Sequence, residues 1–528
     1  MHRIVKNTLS YVAAFVENLR AQKPRARLFA AFVFGSVSAL AYAPVNLFPV
    51  FWICFPALIF LLQGTSSAGQ AFLTGWSFAF GAFLFSLYWI AAAMFVDIAH
   101  FWWAVPLAVA GLPFFLALYY GVAAVLARKI GLRGISGAIT FALLWFLADY
   151  VRGHLFTGFP WNLEGYGWNV VLPILQITSV TGIYGLTLLM LIAVSLPACL
   201  AENKKSHRIA FLGSLVCLAL IFVWGETRLT QVDATVPGVR LRIVQPNTDQ
   251  AHKWIEGELE SHFHYLLDLS SAPPAQASDK PVTHIIWPET AATFYLIEDA
   301  KHRRAVAAEV PASGAIVTGV IRRSAGADNQ LHYYNSLIAV DRQANIVADY
   351  DKFHLVPFGE YIPLRKIFPL RTLANLGLDF SSGDGPHTLR VPNLPSFSPF
   401  VCYEAIFPGA VTDHADRPQF LLNVTNDGWY GHTSGPYQHF AAAKVRAIEE
   451  GLPLVRAANT GISGVVDSYG RVVARLGVGR SGFVDADLPQ SVRTSVFSVY
   501  GDDILWILFV LATMSAVYFR KYVENHRK

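Results

Sequence analysis

A bundle of membrane-spanning helices carrying one extracytoplasmic α/β domain is the architecture this sequence predicts. Three observations lead there. The 528 residues are 54% hydrophobic and 14% aromatic with only 15% charged, too apolar for one ordinary soluble domain. Eight apolar runs reach the roughly 20 residues needed to cross about 30 Å of hydrocarbon at about 1.5 Å per residue. Between the seventh and eighth lies a polar block in which short β-rich runs alternate with amphipathic stretches.

The eight runs lie near 28–44, 47–63, 71–96, 101–127, 136–152, 179–200, 209–226 and 502–519. They divide the chain into a membrane domain of seven spans (1–226), an outer domain (227–501), and a last span with its tail (502–528). Orientation follows from Lys and Arg, which favour the cytoplasmic side of short loops. Arg3, Lys6, Arg20, Lys23, Arg25 and Arg27, then Arg128, Lys129 and Arg133, then Lys204, Lys205 and Arg208, then Arg520, Lys521, Arg527 and Lys528 alternate correctly through eight spans. Both termini are thereby expected in the cytoplasm and 227–501 on the opposite face. These segments carry a balance of +13 in a chain of +5, so the remainder is acidic. The basicity reports topology and gives no support to nucleic-acid binding.

Ala39-Leu40-Ala41 and Ala41-Tyr42-Ala43, behind a basic tail and an apolar run, resemble a signal-peptide cleavage site. Pro44 directly after Ala43 and the immediate entry into another span argue that the segment is retained. Cys54, Cys199 and Cys217 fall in or beside spans and read as small buried apolar residues. Cys402 has no partner in its own domain, so it cannot form an intrachain disulfide there.

In the outer block, strands are expected at 240–244, 283–287, 315–321, 334–340, 400–403, 420–424, 454–457 and 464–467. Helices are expected at 252–269, 301–309 and 438–450. The Pro-, Gly- and Phe-rich stretch 357–395 reads as long apolar loops of the kind that form lids or binding surfaces, and 270–276 as a plain turn. Between the fifth and sixth spans, Phe159-Pro160-Trp161-Asn162-Leu163-Glu164-Gly165-Tyr166 reads either as an interfacial aromatic belt or as a re-entrant element.

Three residues in the block can carry acyl transfer through a thioester: a thiol nucleophile, a carboxylate to take its proton and an ammonium to steady the oxyanion. Glu289 ends an apolar strand just after Pro288, where it is partly desolvated, as a general base should be. Lys352 sits among aromatics in Tyr350-Asp351-Lys352-Phe353-His354, and Glu360 stands eight residues on, in an apolar loop where an unpaired carboxylate is costly. A bond between them resolves that cost and orients the ammonium. Cys402 follows the strand Phe400-Val401, and the next backbone N–H is placed to donate to an oxyanion, while an adjacent Lys⁺ lowers the thiol pKa. Each has a plainer reading alone: a capping carboxylate, a snorkelling lysine, an inert buried thiol. His354 reads as a structural hydrogen-bonder.

Jointly, the order Glu289, Lys352, Cys402, each at a strand end or adjacent loop, resembles the nitrilase superfamily, whose triad occurs in that order on an αββα sandwich. Such a domain placed before the last of eight spans resembles the apolipoprotein N-acyltransferase family of Gram-negative inner membranes. The most specific pieces are 352–361 (KFHLVPFGEY), 401–404 (VCYE) and 423–429 (NVTNDGW). Val244-Gln245-Pro246-Asn247 with Trp254 resembles the opening of the family's outer domain, with Pro246 where a glycine is expected.

The resemblance implies a periplasmic enzyme of the inner membrane. Cys402 takes an acyl chain from a phospholipid, typically sn-1 of phosphatidylethanolamine. It passes that chain to the α-amine of the diacylglyceryl-cysteine of an apolipoprotein. Glu289 is implied as base then acid, Lys352 as oxyanion partner, Glu360 as orienting group, and Tyr403 and Glu404 as site-shaping neighbours. Trp161, Trp254, Asn335, Trp429 and Tyr430 are candidates for binding substrate. No cofactor and no metal are implied. The bottom-up reading agrees on the need for a membrane, since both substrates carry long chains that stay in lipid. The competing reading is a membrane-tethered amidase or nitrilase-type hydrolase with water as acceptor. A tether needs one span, however, and this chain carries eight candidates. Little intramembrane charge counts against a transporter.

Overall fold

The computed structural model describes residues 13–231, 234–274, 280–325, 330–363 and 379–525. It separates into two compact units. One comprises 1–89, 103–230 and 500–528; the other comprises 90–102 and 231–499.

The first unit is helical. Its main helices are α1 (Pro24–Ser38), α2 (Phe51–Gln63), α3 (Ala68–Ser86), α4 (Leu112–Ile130), α5 (Gly134–His154), α6 (Thr178–Ser195), α7 (Lys205–Leu229) and a C-terminal helix, Asp503–Asn525. Among the described residues six helical stretches are long and apolar enough to cross a membrane, and Phe48–Gln63 is a shorter apolar one. The run expected at 28–44 leaves α-helical geometry after Ser38 for a 3₁₀ turn, Ala39–Ala41, ahead of Pro44. The run expected at 71–96 stops at Ser86, and its end, from Ile90 on, belongs to the other unit. Backbones meet closely where side chains are smallest. A Cβ on Gly35 would lie 1.9 Å from the Phe78 carbonyl oxygen, and one on Gly81 2.4 Å from that of Phe32. Cys54 and Cys199 are buried as expected, but Cys217 is exposed, because α7 buries little of its length.

The second unit holds two sheets. The first runs β11-β1-β2-β3-β4-β5 and the second β10-β9-β8-β7-β6. The strands are β1 (Thr235–Gln245), β2 (His284–Ile286), β3 (Ile316–Ala325), β4 (Leu331–Val340), β5 (Ile346–Asp351), β6 (Phe397–Val401), β7 (Phe420–Thr425), β8 (Leu454–Ala458), β9 (Ser463–Val466), β10 (Val472–Leu476) and β11 (Gly482–Pro489). Period-2 alternation sorts their side chains into three apolar layers. Ile243, Ile286, Val317 and Leu337 of one sheet meet Val401, Leu422, Val424 and Val455 of the other in a shared core. On the outer face of the first sheet, Ile285, Trp287 and Val320 pack on Phe263, Leu266 and Val306 of the helices α8 (Leu259–Ser271) and α9 (Ala300–Ala308). On the outer face of the second, Phe400, Leu421 and Leu454 pack on Phe440, Ala443 and Ala447 of α10 (Gly435–Glu450). Helix, sheet, sheet and helix thus stack as an αββα sandwich.

All eight expected strands are present in substance. Residues 402 and 403, expected to extend a strand, instead open a 3₁₀ turn, Cys402–Ile406. The helix expected from 252 starts at Leu259, preceded by turns and a short 3₁₀ segment, Glu256–Glu258. Strands β5, β10 and β11 were not anticipated; β10 is largely exposed and lacks a continuous apolar face. Of the stretch 357–395, residues 364–378 lie outside the described residues, as do Arg3, Lys6, Arg527 and Lys528 of the terminal tails and 275–276 of the predicted turn.

Candidate active site

The ends of β2, β5, β6 and β7 and the middle of β4 bring the chemistry-bearing residues together. Glu289 follows β2 after Trp287 and Pro288, and it is 6% exposed. The chain can turn there because β3 offers no side chain: a Cβ on Gly319 would lie 2.5 Å from the Thr290 nitrogen and 2.6 Å from the Glu289 Cα. The carboxylate accepts on Oε1 from Asn335 Nδ2 at 2.7 Å and on Oε2 from the Asn426 N–H at 2.7 Å.

Lys352 follows β5, where its N–H donates to the Asn335 carbonyl at 2.9 Å, and its side chain is 1% exposed. Nζ lies 2.8 Å from Glu360 Oε2, 3.0 Å from Glu360 Oε1 and 4.0 Å from Glu289 Oε1. The predicted Lys352–Glu360 pair therefore exists, and Glu360 also accepts from the Val356 N–H at 2.8 Å. Burial works against the ammonium. The carboxylates of Glu360 and Glu289 outweigh it and hold the pKa above the ordinary lysine value. Asn335, a candidate for binding substrate, bridges the two acids: Nδ2 donates to Glu289 Oε1 and, at 2.8 Å, to Glu360 Oε1.

Cys402 begins the turn after β6 with φ +50°, a left-handed conformation that costs a non-glycine residue about 1–3 kcal/mol. Burial, reinforced by the charge of Glu289, pushes its thiol up to about 12, with Lys352 acting in the opposite direction. The expectation that the neighbouring lysine would lower the thiol pKa holds for its own contribution and fails for the balance, because a buried thiolate loses its water. The resting group is a thiol, so its proton must be removed as it reacts. Tyr430 OH lies 3.7 Å from Sγ.

Glu404 ties the nucleophile turn to the lysine loop. One oxygen accepts from the Val401 N–H at 2.6 Å, the other from the Phe353 and His354 N–H groups at 2.9 and 3.1 Å, and the Tyr350 hydroxyl reaches both at 3.0 Å. Burial raises this carboxyl to about 7 against those donors. The His354 ring stacks on that of Phe407 with centres 3.6 Å apart. Tyr403 is buried, with its ring 5.1 Å from that of Phe407.

The remaining aromatic candidates divide. Tyr430 and Trp429 lie on the 3₁₀ turn Asp427–Tyr430, against which the helix Ala92–Phe95 packs within the same unit. Trp254 is half-buried in the turns before α8, with Lys253 Nζ 5.8 Å from its ring centre. Trp161 belongs to the helical unit, buried against Trp89 with ring centres 4.5 Å apart.

Sequence reasoning missed Lys253, whose Nζ donates to Thr290 Oγ1 at 2.8 Å and lies 3.4 Å from the Glu289 carbonyl. Burial lowers its pKa to about 8, against the pull of Glu289. It also missed His439 and Arg456, which complete a fully buried set behind the nucleophile with Asn423, Thr425 and Asp427 of the 423–429 motif. A His, an Arg and an Asp spread over 30 residues of sequence carry no spacing signal.

Residues 34–196 match the apolipoprotein N-acyltransferase N-terminal domain, and residues 240–496 match the carbon-nitrogen hydrolase family. The apolipoprotein N-acyltransferase of Bradyrhizobium diazoefficiens is 38% identical over 95% of this chain and 96% of its own. The chain belongs to the apolipoprotein N-acyltransferase family. Further members from Rhodopseudomonas palustris and Brucella melitensis are each 39% identical, over 92% and 88% of this chain and 94% and 90% of theirs. Among solved structures, an amidase from Nesterenkonia sp. matches at 20% identity and a TM-score of 0.33, covering 49% of this chain and 94% of its own. A carbon-nitrogen hydrolase superfamily protein from Xanthomonas campestris matches at 17% and 0.35, covering 48% and 91%.

Proposed function

We propose that this protein is an apolipoprotein N-acyltransferase working through a thioester on Cys402. The observation that carries the reading is the buried cluster in which Lys352 lies between Glu360 and Glu289 while the charges of Lys352 and Glu289 both act on the Cys402 thiol. In the first step Glu289 takes the thiol proton as sulfur attacks the ester carbonyl carbon of a phospholipid. The ammonium of Lys352, aimed by Glu360, steadies the oxyanion. The carbon–oxygen bond to glycerol breaks, Glu289 returns the proton to the leaving oxygen, and lysophospholipid departs.

In the second step the α-amine of a diacylglyceryl-cysteine attacks the thioester. Its proton passes to Glu289 and on to sulfur, and the acyl chain ends in an amide. The donor read here is a phospholipid, phosphatidylethanolamine at sn-1, and the acceptors are lipid-modified apolipoproteins. Tyr403 and Glu404 shape the site. The membrane arrangement that suits these substrates is eight spans in a bacterial inner membrane, the sandwich in the periplasm and both termini in the cytoplasm. Supporting the transferase over the tethered hydrolase are relatives of that name over nearly the whole chain and the apolar helices, which a water-consuming amidase does not need.

Purified enzyme given a labelled phospholipid and no acceptor should accumulate a hydroxylamine-sensitive label on Cys402, with one lysophospholipid released per enzyme. Adding a lipopeptide with a free diacylglyceryl-cysteine should move the label into a hydroxylamine-resistant amide. Continuous release of fatty acid without acceptor, at the transfer rate, would favour the hydrolase.

A further inference from the structure

We propose that His439 is a positioning residue for the nucleophile: by donating from Nε2 to the Cys402 carbonyl, it locks the 402–403 peptide so that the Tyr403 N–H is held toward the oxyanion. This rests on the thioester reading above.

His439 Nε2 lies 2.9 Å from the Cys402 carbonyl oxygen. A carbonyl only accepts, so this bond requires the proton on Nε2, and donation from Nδ1 to Asp427 as well makes the ring an imidazolium. In a planar trans peptide the C=O of one residue and the N–H of the next point opposite ways. Pinning the Cys402 oxygen on the His439 side therefore turns the Tyr403 N–H away from His439.

The rest of the network makes the imidazole immobile. Nδ1 lies 2.8 Å from Asp427 Oδ1 and 3.1 Å from Arg456 Nη2. Asp427 also accepts from Thr425 Oγ1 at 2.9 Å and from Arg456 Nη2 at 2.8 Å. Arg456 donates in addition to Asn423 Oδ1 and, at 3.2 Å, to the Ile462 carbonyl, and Asn423 Nδ2 donates to the Phe400 carbonyl at 3.0 Å. All five side chains belong to residues with 0% exposure. Strand β7, which carries Asn423 and Thr425, lies between β6, the strand that ends at the nucleophile, and β8, which carries Arg456. A buried ion pair with this many bonds brings little stability over an apolar packing of the same volume. Its product is a fixed direction for one N–H.

The test separates oxyanion stabilisation from thiol reactivity. Single-turnover acylation of Cys402 is measured with a labelled phospholipid and with a p-nitrophenyl ester, and alkylation with iodoacetamide, which forms no oxyanion. His439→Leu should lose about 10²-fold in both acylation rates, as for a misplaced catalytic group, with the donor KM and the alkylation rate unchanged. His439→Gln, whose amide nitrogen can reach the same carbonyl, should recover most of the loss. His439→Asn, polar but too short, should not, and it serves the same comparison if the leucine variant does not fold. Acylation at the wild-type rate in His439→Leu or His439→Asn would overturn the proposal, as would equal losses in acylation and alkylation. If wild-type enzyme is acylated by the ester and not by the phospholipid, the donor assignment fails while the ester still reads His439.

Discussion

Replacing Glu289 with Gln should move two reactions of Cys402 in opposite directions, because Glu289 does two things to the thiol. As a base it removes the proton during attack, and as a fixed negative charge it is the second cause, after burial, that pushes the thiol up to about 12. At pH 8 a thiol of that pKa is ionised in about one molecule in 10⁴. Unit charges 4–6 Å apart interact by roughly 3–4 kcal/mol at an effective dielectric of about 20. Even about 1.4 kcal/mol, less than half of that, changes the thiolate fraction about tenfold. Iodoacetamide alkylation of Cys402 in Glu289→Gln should therefore run about tenfold faster than in wild type between pH 8 and 10. Acylation by phospholipid should fall by about 10²–10⁴-fold for want of a base. Both reactions are read by intact-mass spectrometry on the same preparation, with thermal unfolding as the control for folding. Wild-type alkylation in the variant would mean that the Glu289 charge does not reach the sulfur. Parallel losses in both reactions would mean that the substitution has damaged the site itself.

Glu360→Gln removes the carboxylate charge 2.8 Å from Lys352 Nζ and leaves that of Glu289 at 4.0 Å, so single-turnover acylation should fall about 10²-fold, and an unchanged rate would remove Glu360 from the mechanism. Gly319→Ala puts a Cβ 2.5 Å from the Thr290 nitrogen; it should cost about 1–3 kcal/mol in unfolding experiments and slow acylation, and wild-type stability would contradict the packing described. The thiol holds its proton from its ordinary 9.0 up to about 12 in the folded state, so its contribution to stability is present below about pH 9 and lost as pH rises toward 12. Wild type should accordingly lose stability relative to Cys402→Ala across that window, and a pH-independent difference would refute the burial argument.

Apolar runs, the polar block between them and most of the strands were legible in the chain itself, because hydrophobic periodicity is local and survives without a partner. Of the three residues proposed for the chemistry, Glu289 and Cys402 were legible for the same reason, at the readable strands of Trp287-Pro288-Glu289 and Val401-Cys402, whereas Lys352 stood out by its place among aromatics, the strand before it carrying no readable signal. Even the Lys352–Glu360 pair followed from the cost of leaving a carboxylate unpaired in an apolar loop. Only the tertiary structure decided what surrounds them. Asn335 became the bridge between two acids because β4 carries it to where the chain after β2 and the loop after β5 converge. The burial that raises the Cys402 thiol comes from two sheets packed face to face, which no window of sequence contains. Asp427, His439 and Arg456 meet because a turn after β7, a helix and β8 lie side by side, and long-range pairings of this kind leave no periodicity to read.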